Sequence, residues 1–313
     1  MTPVFSILVI SYNTRDMTLA CLRSIIAQTQ TPHEIIVLDN ASTDGSAAAI
    51  AAEFPGITLL AGTQNHGFAR ANNIAARQAR GEFLLLLNPD TLVLDGALDR
   101  LMAFARRATE ARIWGGRTIF ADGSPNPASC WRRMDLWNLF CRATGLTGIF
   151  RTSPLFNSEA YGGWDRMSAR EVDIVTGCLL LISRKDWDIL GGFDPAFFMY
   201  AEEADLCLRA RRVLHARPRV TPEVVIVHHG GASETVRADK MVRLLRAKRD
   251  LIRRHFPVWQ HPIAKALFDI VPATRSLAFG VMASLGRQPK ASENAQVWTE
   301  IWARRAEWRN ELA

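Results

Sequence analysis

Over residues 5–90, short apolar runs alternate with longer segments in which apolar residues recur at helical spacing. Residues 5–10 (FSILVI), 34–38 (EIIVL), 57–60 and 83–87 (FLLLL) read as buried strands, being short, continuously apolar and bounded by turn residues. Between them, helices are predicted from Thr14 or Asp16 through Gln28, from the turn at 42–46 to about Phe54, and over 67–80. Strands alternating with helices at this spacing form right-handed βαβ units, and hence a parallel sheet. Ligands of such sheets bind beyond the carboxyl ends of the strands. The residues that follow the strands are therefore the ones to inspect: Tyr12, Asp39, Asn65 and Asp90, all polar or aromatic.

The second half is patterned differently. Residues 115–127 read as short strands and turns, and 131–161 as an aromatic-rich stretch with little periodicity, a variable loop or lid. Residues 172–183 form one strand-like apolar run containing Thr176-Gly177. A short helix over 186–190 is closed by Gly191-Gly192. Further on come a helix over 202–213, a strand over 224–227 and a long basic helix over 237–255. The expectation is an α/β catalytic domain over 1–235. Its nucleotide-binding half runs to about 115 and its acceptor half over 116–235, and a basic helical tail follows over 236–313.

Composition adds two constraints. With 313 residues and 48% of them apolar, the chain can bury a sizeable core, and nothing suggests disorder. Its net charge of +7 is uneven, since residues 237–254 hold eight Lys or Arg against two Asp. Such a segment suits phosphate-bearing partners, whether anionic lipid, nucleotide diphosphate or nucleic acid, and equally a solvated helix face. The five cysteines are scattered without C-x-x-C spacing, which argues against a disulfide framework or structural zinc and fits a reducing cytoplasm. No signal-peptide pattern precedes the first strand. Residues 263–285 are apolar but interrupted by Lys265, Asp269, Pro272 and Arg275, a poor membrane span that could still lie on a membrane.

Four constellations carry candidate chemistry. Asn88-Pro89-Asp90 places a carboxylate at a strand end, where it could hold a hard divalent cation that bridges a diphosphate, although N-P-D alone is also an ordinary turn. Glu202, Glu203 and Asp205 open a helix beside an aromatic wall. One acid there would serve as a cap; three crowded carboxylates suit a general base. His228-His229-Gly230-Gly231 follows a strand and could present an imidazole to a metal, or could simply be structural. Residues 62–73 (GTQNHGFARANN) form a polar loop entering a helix, with backbone donors and Arg70 available to phosphate. No G-x-G-x-x-G or P-loop pattern occurs.

Taken in order, ILVISYN, IIVLDNASTDGS, NHGFARANN, GEFLLLLNPDTLV, VDIVTGCLLLISR, GGFDPAFFMYAEEADLCLRARR and VHHGGAS closely resemble the family 2 glycosyltransferases. The likeness is nearest to the rhamnosyltransferase-like branch that builds bacterial surface polysaccharides, and it covers about residues 4–255. It implies a GT-A fold, a Rossmann-like, mostly parallel sheet flanked by helices, with a helical C-terminal tail. It also implies that Ser11, Tyr12, Asn13, Asp39, Asp44, Asn65, Gly67, Arg70, Asn73 and Asn88 surround a nucleotide sugar. Asp90 would bind Mg²⁺ or Mn²⁺ at the last position of a D-x-D-type motif, aided by His228 or His229. Glu203 would be the base, with Glu202 and Asp205 as competitors. The sequence departs from the family pattern twice: Asn88 replaces a carboxylate in the metal motif, and the Glu-Asp base motif reads Glu202-Glu203.

The implied reaction is inverting displacement, with a TDP-rhamnose or UDP- or GDP-hexose donor and a glycan or lipid-linked acceptor. It belongs to cell-envelope polysaccharide synthesis in the cytoplasm, with peripheral contact to the inner face of the membrane and no nucleic-acid partner. A dehydrogenase would need glycines after the first strand, and a sugar nucleotidyltransferase a Gly-rich basic loop there; neither is present. A catalytically inactive sugar-nucleotide-binding subunit is the rival from another class.

Overall fold

A computed structural model of the chain describes residues 2–230, 237–286 and 290–310; Gly231, the second glycine after the histidine pair, lies outside them. Along the chain run β1 (Phe5–Ser11), α1 (Arg15–Gln28), β2 (His33–Asp39), α2 (Ser46–Glu53), β3 (Thr58–Ala61), α3 (Gly67–Gln78), β4 (Phe83–Leu87), β5 (Thr91–Val93), α4 (Ala97–Arg107) and β6 (Ile113–Ile119). There follow β7 (Pro125–Asn126), β8 (Cys130–Trp131), α5 (Leu136–Ala143), α6 (Leu146–Ile149), β9 (Arg170–Glu171), β10 (Ile174–Val175), β11 (Leu179–Ser183) and α7 (Arg184–Leu190). The last elements are α8 (Glu202–Leu214), β12 (Arg219–His228), α9 (Arg237–His255), α10 (His261–Ser284), α11 (Ala291–Ala303) and α12 (Arg305–Arg309).

These elements divide into two compact units. The first comprises residues 1–131, 165–198 and 202–233, the second 132–164, 199–201 and 234–313. This partition does not follow a single cut near 235, because the stretch after Trp131 groups with the C-terminal helices.

The first unit is built on one large sheet with the path β3-β2-β1-β4-β11-β6-β12-β5. The four strands read from the N-terminal pattern are mutually parallel, as βαβ units require. Beyond β4 the sheet turns mixed: β11 is antiparallel to both β4 and β6, and β5 is antiparallel to β12. Strands β1 and β4 are buried on both faces, which explains their unbroken apolar runs. One core beneath the sheet gathers Phe5, Ile7, Val9, Leu22, Leu85, Leu87, Leu101 and Trp114.

Two readings of the second half need correction. The apolar run at 172–183 is two strands in two sheets: Ile174–Val175 pairs with β8, and Leu179–Ser183 joins the main sheet. The break falls at Thr176, whose hydroxyl donates to the carbonyls of Ala128 and Ser129 (2.8 and 3.0 Å). The stretch at 131–161 holds helices α5 and α6. Helix α5 starts with a capping box, in which the Asp135 side chain accepts from Asn138 N and the Asn138 side chain accepts from Asp135 N.

The second unit is helical. Its core gathers Leu139, Val242, Leu245, Ile252, Phe268, Trp298, Ile301 and Trp308. Buried Glu159 is held by Arg142 and by Lys248 (2.8 Å); these two cations outweigh the burial that opposes its charge and keep its carboxyl down at about 2. Asp250 sits between Arg253 and Arg254, and Asp269 between Arg249 and Arg309.

Candidate functional site

Sheet pairing brings the chemistry together along one edge of the first unit. β4 ends at Leu87, and antiparallel β11 begins opposite it with Leu179, so the Asn88–Asp90 turn lies beside Gly177 and Cys178. Asn88 N donates to Cys178 O (3.2 Å). β5 starts one residue after Asp90, and its Thr91 is registered with His228 at the end of β12. The pairing therefore sets the His228 imidazole against the Asp90 carboxylate, Nε2 to Oδ1 3.5 Å, with both side chains largely buried. Burial opposes the charged imidazole, but the Asp90 carboxylate and the Cys178 thiol overcome it and raise His228 to about 10. Asp90 moves the other way: burial opposes its charge, yet His228 keeps it below its ordinary value. His228 Nδ1 is buried and makes no hydrogen bond of ordinary geometry, although the Cys178 thiol lies close enough to the ring to favour its charge. His229 is exposed and meets Asp90 through its backbone, N to O 3.0 Å. Among the described residues, no group of three His, Cys, Asp or Glu gathers to hold a metal.

The nucleotide-side residues form a second cluster at the ends of β1 and β2. Asp39 is buried; one carboxylate oxygen accepts from Ser42 N (3.0 Å), while the other has no partner. Asn13, at φ 51°, donates its backbone N–H to the Ser42 hydroxyl and accepts from Thr43 N through its side chain. Tyr12 is half-buried, and Asn65 and Arg70 are exposed, with the Arg70 guanidinium donating to Pro195 O (3.2 Å). Ser11, Asp44 and Asn73 each make hydrogen bonds within the fold. The Ser11 hydroxyl is buried against that of Thr18, Asp44 accepts from Arg15 N, and Asn73 clamps both backbone groups of Phe193 (2.8 and 3.0 Å).

One residue that the sequence reading left out organises this cluster. Buried Asn40 donates to the Asn65 side chain (2.9 Å) and accepts from His66 N (2.8 Å), which fixes the loop that opens α3. Its position directly after Asp39 at a strand end was the available signal. Gly67 follows with φ +72°, and a Cβ there would lie 2.2 Å from Phe198 O. Only glycine fits, and the tight approach lets Phe68 N donate to Phe198 O (2.7 Å).

The three acids at the start of α8 occupy different environments. Asp205 is buried and bound to Arg209 (2.7 Å), which also donates to the carbonyls of Leu190 and Gly192. Glu202 is buried with Oε2 unpartnered; burial, and then the neighbouring Glu203, push its carboxyl well above the usual range. Glu203 is half-buried, and its Cβ lies 3.9 Å from where a Cβ on Gly177 would sit, which places it on the same sheet edge as Asp90.

The mostly parallel, partly mixed sheet with its flanking helices is the GT-A fold of glycosyltransferases. The model of glycosyl transferase family 2 matches residues 6–172, and the chain belongs to that family. Over 249 residues it is 29% identical to the O-antigen biosynthesis protein RfbC of Myxococcus xanthus, covering 76% of this chain but only 18% of that longer protein. It is 27% identical to the N-acetylglucosaminyl-diphospho-decaprenol L-rhamnosyltransferase of Mycobacterium tuberculosis, covering 73% of this chain and 77% of that one. Among solved structures, it superposes on the mannosyltransferase PcManGT of Pyrobaculum calidifontis, in complex with GDP-Man and Mn²⁺. The TM-score is 0.57 at 20% identity, over 99% of this chain and 86% of that one.

Proposed function

We propose that the chain transfers a sugar, rhamnose or a hexose, from a nucleoside diphosphate donor to a hydroxyl of a glycan or lipid-linked acceptor, with inversion at the anomeric carbon. The observation that carries this reading is the convergence on one sheet edge of the Asp90–His228 pair and the Glu202–Glu203 pair. The rhamnosyltransferase relative makes a rhamnose donor and a lipid diphosphate acceptor the first candidates. Envelope polysaccharide synthesis on the cytoplasmic side of the membrane is the setting that suits them.

Asp39 and Tyr12 are the groups assigned to the nucleoside; the unpartnered Asp39 oxygen supports this, since it suits a ribose hydroxyl donor. Asn13, Asn65, Gly67 and Arg70 line the same end of the sheet. A divalent cation fits the residues present. Asp90 offers oxygen and His228 a ring nitrogen beside it, which would have to give up its proton to ligate; a diphosphate would complete the coordination. Mg²⁺ or Mn²⁺ held by Asp90 and His228 would supply positive charge opposite the departing diphosphate. Burial and the neighbouring Glu203 raise the Glu202 carboxyl, which favours the less buried Glu203 as the proton acceptor of the pair. The acceptor oxygen bonds to the anomeric carbon as the carbon–diphosphate oxygen bond breaks, and the hydroxyl proton passes to Glu203. No enzyme nucleophile is required. Asp205 is committed to Arg209 and positions the helix.

The test is transfer itself. Nucleoside diphosphate sugars are presented with Mn²⁺ and a polyprenyl-diphosphate-linked acceptor, and the anomeric configuration of the product is read by NMR. An inverted glycoside from any donor supports the reading. Nucleotide-sugar binding without turnover would favour a binding subunit, and a retained configuration would overturn the mechanism.

A further inference from the structure

The exposed face of α10 carries no charge. Ile263, Ile270, Leu277 and Val281 are exposed on it, Leu285 is exposed just beyond its end, and the helix's other exposed positions are proline, alanine and serine. At about 100° per residue, the five apolar side chains fall within a strip roughly 80° wide. Val258 and Trp259, just before the helix, are 80% and 70% exposed and extend the apolar surface.

Two charged residues of α10 are turned to the protein instead, and the third, Lys265, is half-buried about 200° around the helix from Ile263. Asp269 is paired with Arg249 and Arg309, and Arg275 lies over the Trp298 ring at 5.2 Å. Ala264, Phe268 and Val271 are buried in the helical unit. The segment 258–284 is long and apolar enough to cross a membrane by length and composition. With one face committed to protein packing and to charged partners, a spanning helix would have to abandon both. A helix with one face in protein and the other uncharged and apolar is suited to lie in a bilayer interface, with Trp259 at headgroup depth.

Charge indicates which surface it meets. The residues of the helical unit hold 19 Lys and Arg against 10 Asp and Glu, a net of +9, while the sheet unit holds 19 against 21, a net of −2. The chain's positive charge is thus concentrated in the unit that exposes the apolar strip. An anionic bilayer satisfies both features, whereas a second copy of the same strip would bring two units of +9 together.

We infer that the exposed face of α10 is the seat of an anionic lipid bilayer, on which the chain docks peripherally with the helix parallel to the surface. Nothing in this depends on the donor sugar or on the catalytic roles assigned above.

Sedimentation of the full chain with vesicles tests it, comparing phosphatidylcholine alone with phosphatidylcholine containing phosphatidylglycerol. Binding is expected with the anionic vesicles, weakening as salt rises. Ile270→Glu/Leu277→Glu should reduce it at least tenfold without loss of thermal stability, since both side chains are already exposed. Ile270→Ser/Leu277→Ser, with no added charge, should reduce it in the same direction and serves if the first variant fails to fold. Absence of binding at low salt, or equal binding by both variants and the parent, overturns the inference. So does a dimer in sedimentation velocity that these variants dissociate, which would make a second copy the occupant. Nucleotide-sugar binding measured on the same samples separates a failed membrane surface from a failed donor site.

Discussion

In the helical unit, Glu159 sits between Arg142 and Lys248, Asp250 between Arg253 and Arg254, and Asp269 between Arg249 and Arg309. In the sheet unit, buried Asp39 and Glu202 each keep an oxygen that no protein donor reaches, and His228 keeps a nitrogen that makes no hydrogen bond of ordinary geometry. Unpartnered polar atoms destabilise a fold unless something else completes them. Asp39 and His228 leave theirs at the carboxyl ends of strands and Glu202 at the start of α8, where a donor, an acceptor and a cation would supply the missing partners. The helical unit needs no ligand to satisfy its carboxylates. The contrast separates the acids proposed to act from the acids that hold.

That separation can be broken by substitution. Glu203→Gln should lower turnover by on the order of 10² to 10⁴, about 3–5 kcal/mol in the barrier, while donor affinity and thermal stability stay near the parent's. Steady-state release of nucleoside diphosphate reads the first, and calorimetric titration the second. Normal turnover by this variant would move the role to another acid.

Glu159→Gln should do the reverse. It leaves Arg142 and Lys248 without their counterion and should cost about 3–5 kcal/mol of stability by chemical denaturation. The parent should also lose this stability in acid. The Glu159 carboxyl is held at about 2 in the fold, below its ordinary 4.5, so its contribution is present above that ordinary value and fades as pH falls toward 2. Denaturation at pH 7 and pH 3 should show the slope in the parent and its reduction in the variant.

Asp205→Asn should cost about 3 kcal/mol, since it breaks a buried pair whose Arg209 retains two carbonyl acceptors. If it abolished turnover at full stability, Asp205 would rejoin the acting acids. The smallest effect is expected from Asn73→Ala, about 1–2 kcal/mol from the lost clamp on Phe193, with donor affinity little changed.

How far the sequence reveals this arrangement depends on what each residue answers to. The βαβ rhythm of residues 5–90 is a local pattern, and the strands appear where the apolar runs lie; α9 matches its expected bounds of 237–255. The break at Thr176 is not local. An apolar run looks the same whether it stays in one sheet or leaves it, and the carbonyls that stop it belong to Ala128 and Ser129. Helices α5 and α6 are eight and four residues long, too short to display a period, and the Asp135–Asn138 box is not the usual Ser/Thr-x-x-Glu. Within the candidate site, the motifs point to Asp90, His228 and Glu203, but not to Asn40, whose role appears only once the loop at 65–67 folds onto it.

Thermal shift with nucleoside diphosphate sugars and Mn²⁺ reads whether the strand ends of the sheet unit hold a nucleotide sugar through Asp90. At a hundred times its dissociation constant, the true donor should stabilise the parent by about 2.7 kcal/mol. Glu203→Gln should keep that shift and Asp90→Ala should lose it. An Asp90→Ala variant that binds the donor as tightly as the parent, with the same dependence on Mn²⁺, would contradict the account.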